Sequence, residues 1–202
     1  KGPVLEVACG TGMILIPLLK QGVDIYGFDL SGPMLQQLYA KAQSDGLSDV
    51  CRRVSRQNMI DFQLDTEFES IFIPARSFLH LPTQADQIAC LRNIHRHLRD
   101  DGTLMLNFFT PSLPALLSRA DASADFTDFG QYPHPDGRSV INVSMQQTND
   151  LSEQIQHITW HFELDGQSHE SPMLVRWIYK KEFELLARLS GFTAHLSKET
   201  LS

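Results

Sequence analysis

The sequence predicts a doubly wound α/β fold, a mostly parallel sheet with helices on both faces, plus an inserted layer of antiparallel strands. Three observations predict it. Apolar runs of strand length alternate with one-faced helical stretches over the first two thirds of the chain. A glycine-rich turn joins the first strand to the first helix. Beyond Pro111 the hydrophobic period changes to two.

The elements follow in order. Val4-Leu5-Glu6-Val7-Ala8 is a short apolar strand ending in the glycine turn, and a helix is expected from about Met13 to Lys20. Ile25-Tyr26-Gly27-Phe28-Asp29 is the second strand. Ser31 caps the next helix, with Pro33 in its first turn and Met34, Leu35, Leu38 and Ala42 on one face. Val50 to Ser55 is a weaker strand candidate, and Glu69-Ser70-Ile71-Phe72-Ile73 a clear one closed by Pro74. Ile88, Leu91, Ile94 and Leu98 mark a helix that Asp101-Gly102 is expected to end. Thr103 to Phe109 reads as a buried strand.

After a short helix at Leu113, Leu116 and Leu117, the stretch Asp121 to Gly137 reads as loop. Three alternating segments come next, on Ile141-Val143-Met145, Ile158-Trp160-Phe162-Leu164 and Met173-Val175-Trp177-Tyr179. Asp165-Gly166 is a hairpin turn between the last two. A last helix on Phe183, Leu186, Ala187 and Leu189 stops at Gly191, and Phe192 to Leu196 is expected as one more strand. This divides the chain into a ligand-binding core (1-112), an inserted substrate-side or lid region (113-180) and a returning helix and strand (181-202).

Composition narrows the function. The 202 residues, 42% hydrophobic, suffice for one sizeable core and exclude a disordered chain. The net charge of −7, with no basic run longer than Arg52-Arg53, argues against nucleic acid as a partner. The longest apolar run, Met13 to Ile16, is far short of the ~20 residues of a membrane span. Three cysteines without metal-type spacing argue against a disulfide framework and for a reducing cytoplasm. His157 and His161 lie four residues apart on the polar strand face without a third ligand, so no metal is expected.

Glu6-Val7-Ala8-Cys9-Gly10-Thr11-Gly12 carries the chemistry. A strand, a glycine turn and a helix N-terminus let backbone approach a ligand closely. Asp29 ends the next strand, where a carboxylate can accept from both ribose hydroxyls. The third glycine of a dinucleotide fingerprint is replaced by Leu15, and no G-K-[ST] ending follows. Glu6 would repel a pyrophosphate and suits a ligand with a cationic amino-acid moiety.

These residues resemble the motifs of class I S-adenosylmethionine-dependent methyltransferases. Val4 to Gly12 is similar to their first motif, with Ala8 where glycine is more usual, and Gly27-Phe28-Asp29-Leu30-Ser31 to their second. Gln57 to Phe62 resembles the adenine-side segment, and Leu98 to Leu104 the turn before strand five, with Asp101 in place of a glycine. The resemblance implies a Rossmann-like core and S-adenosyl-L-methionine as cofactor, with S-adenosyl-L-homocysteine as product. It places Glu6 near the methionine amino end and Ala8, Cys9, Gly10 and Gly12 along the turn. Asp29 falls on the ribose, Leu30 and Met59 on the adenine faces, Asn58 or Asp61 on its polar edge, and Pro74 after strand four.

Phe78-Leu79-His80-Leu81 is similar to small-molecule methyltransferases, including N,N-dimethyltransferases of nucleotide-linked amino sugars. That implies His80 as base or acceptor-orienting group for a small N or O acceptor. Arg76 and Arg176 are candidates for an acidic acceptor, and Phe78 and Tyr179 for the pocket lining. The family usually has helices before the first strand and a hairpin after the last helix, so the chain reads as truncated at both ends. A monomer or homodimer is expected. The competing readings are a non-catalytic S-adenosylmethionine-binding domain and an aminopropyltransferase. The second needs acidic residues near strand four, and Ile73 to Leu81 has none.

Overall fold

The structure is a computed structural model that describes residues 2–120, 126–134 and 136–193. The chain divides into two compact units. The first comprises residues 1–78, 84–108 and 180–202, and the second residues 79–83 and 109–179.

In the first unit, β1 (Val4–Val7) leads to α1 (Leu15–Lys20), β2 (Ile25–Asp29), α2 (Gly32–Ser44), α3 (Val50–Arg53) and β3 (Val54–Arg56). Then come β4 (Phe68–Ile73), α4 (Gln84–His97) and β5 (Leu98–Leu106). The strands form one parallel sheet in the order β3-β2-β1-β4-β5. The order reverses at β1, so its carboxyl end opens a crevice where ligands of such sheets bind. Neighbouring residues of β2 point to opposite faces. A Cβ on Gly27 would strike Leu15 of α1, whereas Phe28 stacks on Phe62, which stacks on His97 of α4. Helices therefore cover both faces.

Several local expectations are corrected. Helix α1 starts at Leu15, and Met13 and Ile14 remain exposed in the turn before it. Val50 to Arg53 is a helical turn rather than a strand. Val50 is buried in the core, and Arg53 pairs with Asp24 and stacks 5.1 Å over Tyr26. Helix α4 ends at His97, not at Asp101-Gly102. The chain enters β5 at once, and the register shift between Phe68↔Leu98 and Ser70↔Thr103 leaves Arg99 to Gly102 as a bulge.

The second unit holds α5 (Leu113–Leu117) and the antiparallel strands β6 (Thr127–Pro133), β7 (Val140–Asp150), β8 (Ile155–Leu164) and β9 (Gln167–Arg176), paired in that order. The first lies in the stretch read as loop. Its alternation is hidden by a bulge between Asp128 and Gly130. Strand β9 begins at Gln167, and Trp177 to Tyr179 fall outside it. Asp165 and Gly166 make the β8–β9 turn with φ of 50° and 78°, the left-handed pair a two-residue hairpin demands. His161, expected on the polar strand face, is buried against Phe126, with Gln146 at 3.1 Å and Glu170 at 3.4 Å. Helix α6 (Lys180–Leu189) returns to the first unit. Of the strand expected over Phe192 to Leu196, Phe192 and Thr193 are not extended into a strand, and the rest lies outside the described residues. Among the described residues, no helix is long and apolar enough to cross a membrane.

Candidate active site

Strand β1 is central, so its last side chains meet the site from inside the sheet. Glu6 stands in register with Gly27 of β2 and Phe72 of β4 and is 2% exposed. Burial pushes its carboxyl up to about 8; the Leu15 backbone N–H pulls the other way, and the Asp29 charge adds to the rise. Its Oε2 is buried without a hydrogen-bond partner. A buried polar atom is costly to leave unpaired, so such an atom in a ligand crevice marks a missing cationic or donor group.

The turn after β1 is left-handed at Ala8 (φ 59°), Gly10 (φ 54°) and Gly12 (φ 77°). Glycine adopts this conformation freely, and alanine there carries a Cβ penalty. A Cβ on Gly12 would lie 2.9 Å from Ile16 Cδ1 and Leu38 Cγ, so this position also needs its emptiness for helix packing. Cys9 donates its N–H to the Phe28 carbonyl (3.0 Å) and accepts from Gly12 N–H (2.9 Å). Burial, then the charges of Glu6 and Asp29, push the Cys9 thiol up to about 12, so it is no nucleophile. Gly27 explains Leu15. The close helix–strand contact that a third glycine would permit is made instead by a glycine on the strand, facing Leu15 and Cys9.

Asp29 ties the crevice together. Its Oδ2 accepts from Gly10 N–H (2.8 Å) and its Oδ1 from Ser31 N–H (2.7 Å). A carboxylate offers about four lone-pair positions, so each oxygen keeps one for a further donor. Two adjacent hydroxyls, as in ribose, match that pair. The Asp29 carbonyl accepts from Gln57 N–H at 3.1 Å, which starts the segment Gln57 to Leu64 at the same edge. Gln57 braces that loop through Gln63 N–H (2.7 Å) and Ser55 Oγ (2.9 Å). Asn58 Oδ1 accepts from Ile60 N–H (3.1 Å), so this oxygen serves the turn as well as any ligand. Met59 is half-buried, Asp61 exposed, and Leu30 59% exposed.

After β4 the Pro74 carbonyl accepts from the Ser77 N–H (3.0 Å) and hydroxyl (2.8 Å). Ala75 (φ 55°) and Arg76 (φ 63°) are both left-handed without being glycine, and Arg76 N–H donates to Asn107 Oδ1 at 3.0 Å. Backbone strain of this kind collects at functional sites. The sequence reading missed Asn107, although a lone polar side chain at the end of the apolar β5 run was its signal.

The acceptor-side candidates do not converge as one set. Phe78 is fully buried with its ring 6.1 Å from Phe183, so it is core and not pocket lining. His80 is exposed at the end of the 3-10 turn Ser77–His80. Arg176 is 5% exposed and donates to Gln154 Oε1 at 3.3 Å, and Tyr179 is exposed. His80, Arg176 and Tyr179 belong to the second unit, whereas the glycine turn and Asp29 belong to the first. Among the described residues, no three His, Cys, Asp or Glu side chains gather as a metal site.

The residues present fit S-adenosylmethionine better than a dinucleotide. The unmatched Glu6 oxygen suits an ammonium, and the free lone pairs of Asp29 suit a ribose. A pyrophosphate would meet two acidic side chains instead. Residues 4–102 match the family described as "Methyltransferase domain". The chain is 27% identical over 193 residues to a cypemycin N-terminal methyltransferase of Streptomyces sp, covering 93% of this chain and 71% of that protein. It is 30% identical over 103 residues to a dTDP-3-amino-3,6-dideoxy-alpha-D-glucopyranose N,N-dimethyltransferase of Streptomyces fradiae, covering 51% of this chain and 38% of that one. Its fold matches the CcbJ methyltransferase of Streptomyces caelestis with a TM-score of 0.73 at 24% identity, over 94% of this chain and 72% of that chain. Residues 4–102 thus match a methyltransferase domain, and the chain as a whole is similar to S-adenosylmethionine-dependent methyltransferases.

Proposed function

We propose that this enzyme methylates a nitrogen atom of a small-molecule acceptor. The observation that carries the cofactor half of this reading is the buried, unpartnered Oε2 of Glu6 beside the two spare lone pairs of Asp29. Nitrogen is favoured over oxygen because the two relatives named above are an N-terminal methyltransferase and an N,N-dimethyltransferase.

When bound, S-adenosylmethionine supplies an activated methyl group for in-line displacement. The chain supplies alignment and a pocket of suitable charge. Glu6 binds the ammonium end, and Asp29 receives the ribose hydroxyls. The Ala8–Gly12 backbone, with Cys9 and Gly10, forms the floor. Leu30 and Met59 flank the adenine, with Asn58 and Asp61 at its edge and Pro74 beyond β4. His80 is assigned, on its place in the resemblance, as the group that orients the acceptor or takes its proton. Arg76 and Arg176 are assigned to an acidic group on the acceptor, and Tyr179 to its lining. The unpaired thiols Cys9, Cys51 and Cys90 fit a reducing compartment, so we place the enzyme in the cytoplasm, as a monomer or homodimer without nucleic-acid partners.

Calorimetric titration with S-adenosylhomocysteine, with NAD in parallel, tests the cofactor assignment. Binding of the first alone supports it, and binding of NAD alone overturns it. Incubation with labelled S-adenosylmethionine and matched amine and hydroxyl acceptors tests the rest. Label transfer to the hydroxyl series alone would overturn the nitrogen assignment.

A further inference from the structure

Helix α4 lies outside the residues assigned to the cofactor, yet two of its buried polar side chains reach the loop from Gln57 to Leu64. Asn93, fully buried, donates from Nδ2 to the Phe62 carbonyl at 3.0 Å, while its Oδ1 accepts from Arg96 at 2.7 Å. His97, one turn on and also buried, has its Nδ1 2.8 Å from the Asn93 carbonyl and its Nε2 3.3 Å from Leu64 N. These partners define the ring. A carbonyl can only accept and a backbone N–H can only donate, so Nδ1 carries the proton and Nε2 is the acceptor.

The ring also stacks on Phe62 with centroids 4.4 Å apart, and the other side of Phe62 meets Phe28 at 4.6 Å. Phe28 immediately precedes Asp29. The far end of the loop is thus gripped by two hydrogen bonds and a ring, while its near end is held by Gln57 N–H on the Asp29 carbonyl. Between these anchors lie Asn58, Met59 and Asp61. A loop fixed at both ends before the ligand arrives loses little conformational freedom on binding.

We infer that Asn93 and His97 are positioning residues that hold the Asn58–Asp61 loop in its cofactor-binding shape. This rests on the assignment of that loop to the adenine side. Neither residue touches the cofactor; both act through Phe62 and Leu64.

Two His97 variants separate the parts of the grip. His97→Phe keeps a ring on Phe62 and loses the acceptor for Leu64. His97→Gln keeps both an acceptor and a donor and loses the ring. An unpaired, half-buried N–H is the larger loss, so His97→Phe is expected to weaken S-adenosylhomocysteine binding by about tenfold or more, and His97→Gln by only a few-fold. Hydrogen exchange supplies the readout that a merely structural role would not move. In His97→Phe the amides of Asn58 to Leu64 should exchange faster while those of β1 stay protected. Faster exchange throughout the first unit, or affinity within twofold of wild type, would overturn the inference.

Wild-type protein provides a further test that needs no variant. The Leu64 amide should already be protected before ligand is added, and exchange at the rate of an open loop would overturn the proposed grip. If S-adenosylhomocysteine fails to bind the wild type, the cofactor assignment fails and this inference fails with it. A protected Leu64 amide would then show that the fault lies in the assignment and not in the grip.

Discussion

Two groups of buried polar side chains, one in each unit, are completed in opposite ways. In the second unit, Arg119, Gln147 and Asn149 satisfy one another. Arg119 donates to Gln147 at 3.1 Å, Gln147 to Asn149 at 2.9 Å, and Asn149 to the Leu116 carbonyl at 2.9 Å. In the first unit, Glu6 is buried on the central strand with one oxygen unmatched, and Asp29 is bonded on one side only of each oxygen. A closed network does structural work, whereas an open one keeps its capacity for a ligand. Burial of a polar residue does not by itself mark a site; unfinished hydrogen bonding at a crevice does.

The comparison predicts a graded series. Removing the Asp29 carboxylate should cost most, because it takes away the ribose acceptor and orphans the N–H groups of Gly10 and Ser31. Asp29→Ala is expected to weaken S-adenosylhomocysteine binding by roughly 100-fold or more in calorimetry. Retained affinity would break the assignment of the open network.

Glu6 should impose a pH dependence with a definite sign. Its carboxyl is raised from 4.5 to about 8, so between those values the ligand-free fold holds a proton that the unfolded chain has released. That group's contribution to stability is therefore present below about pH 4.5 and is lost as pH rises toward about 8. Binding an ammonium requires the carboxylate, so binding expels the proton. Affinity for S-adenosylhomocysteine should rise with pH up to about 8, by at most about tenfold per unit, and level off above it. Glu6→Gln should flatten the profile. An unchanged profile in that variant would place the titration elsewhere.

The closed network should behave differently. Asn149→Ala leaves the Gln147 amide unpaired and takes from the Leu116 carbonyl one of its two donors, the other being Arg119 N–H, with an expected loss of about 1–3 kcal/mol in unfolding by denaturant and no loss of S-adenosylhomocysteine affinity. A matching fall in affinity would show that the two units are not separable in this way. The smallest effect is expected at Ala8. Its φ of 59° is glycine territory, so Ala8→Gly should raise the midpoint of thermal unfolding, by about 1 kcal/mol or less in free energy.

Much of this was legible in the chain. Val4 to Val7, Ile25 to Asp29 and Phe68 to Ile73 announce themselves as buried strands because both faces of a parallel sheet need apolar side chains. The glycine turn and Asp29 declare a nucleoside-type crevice because their backbone freedom and charge are local properties. Asp165-Gly166 specifies its hairpin for the same reason. Strand β6 was hidden because its bulge breaks the period on which strand reading depends.

Other facts are decided only by packing. Phe78 became core because Phe183, more than a hundred residues later, folds back against it. Leu15 was admitted beside the strand by Gly27, which is distant in sequence and therefore silent in any local motif. The unmatched oxygen of Glu6, the left-handed Ala75–Arg76 turn on Asn107, and the hold of Asn93 and His97 on Phe62 and Leu64 all require partners from separate elements. Sequence carries what one segment prefers by itself; burial and hydrogen-bond completion depend on which segments meet, and only the tertiary structure decides that.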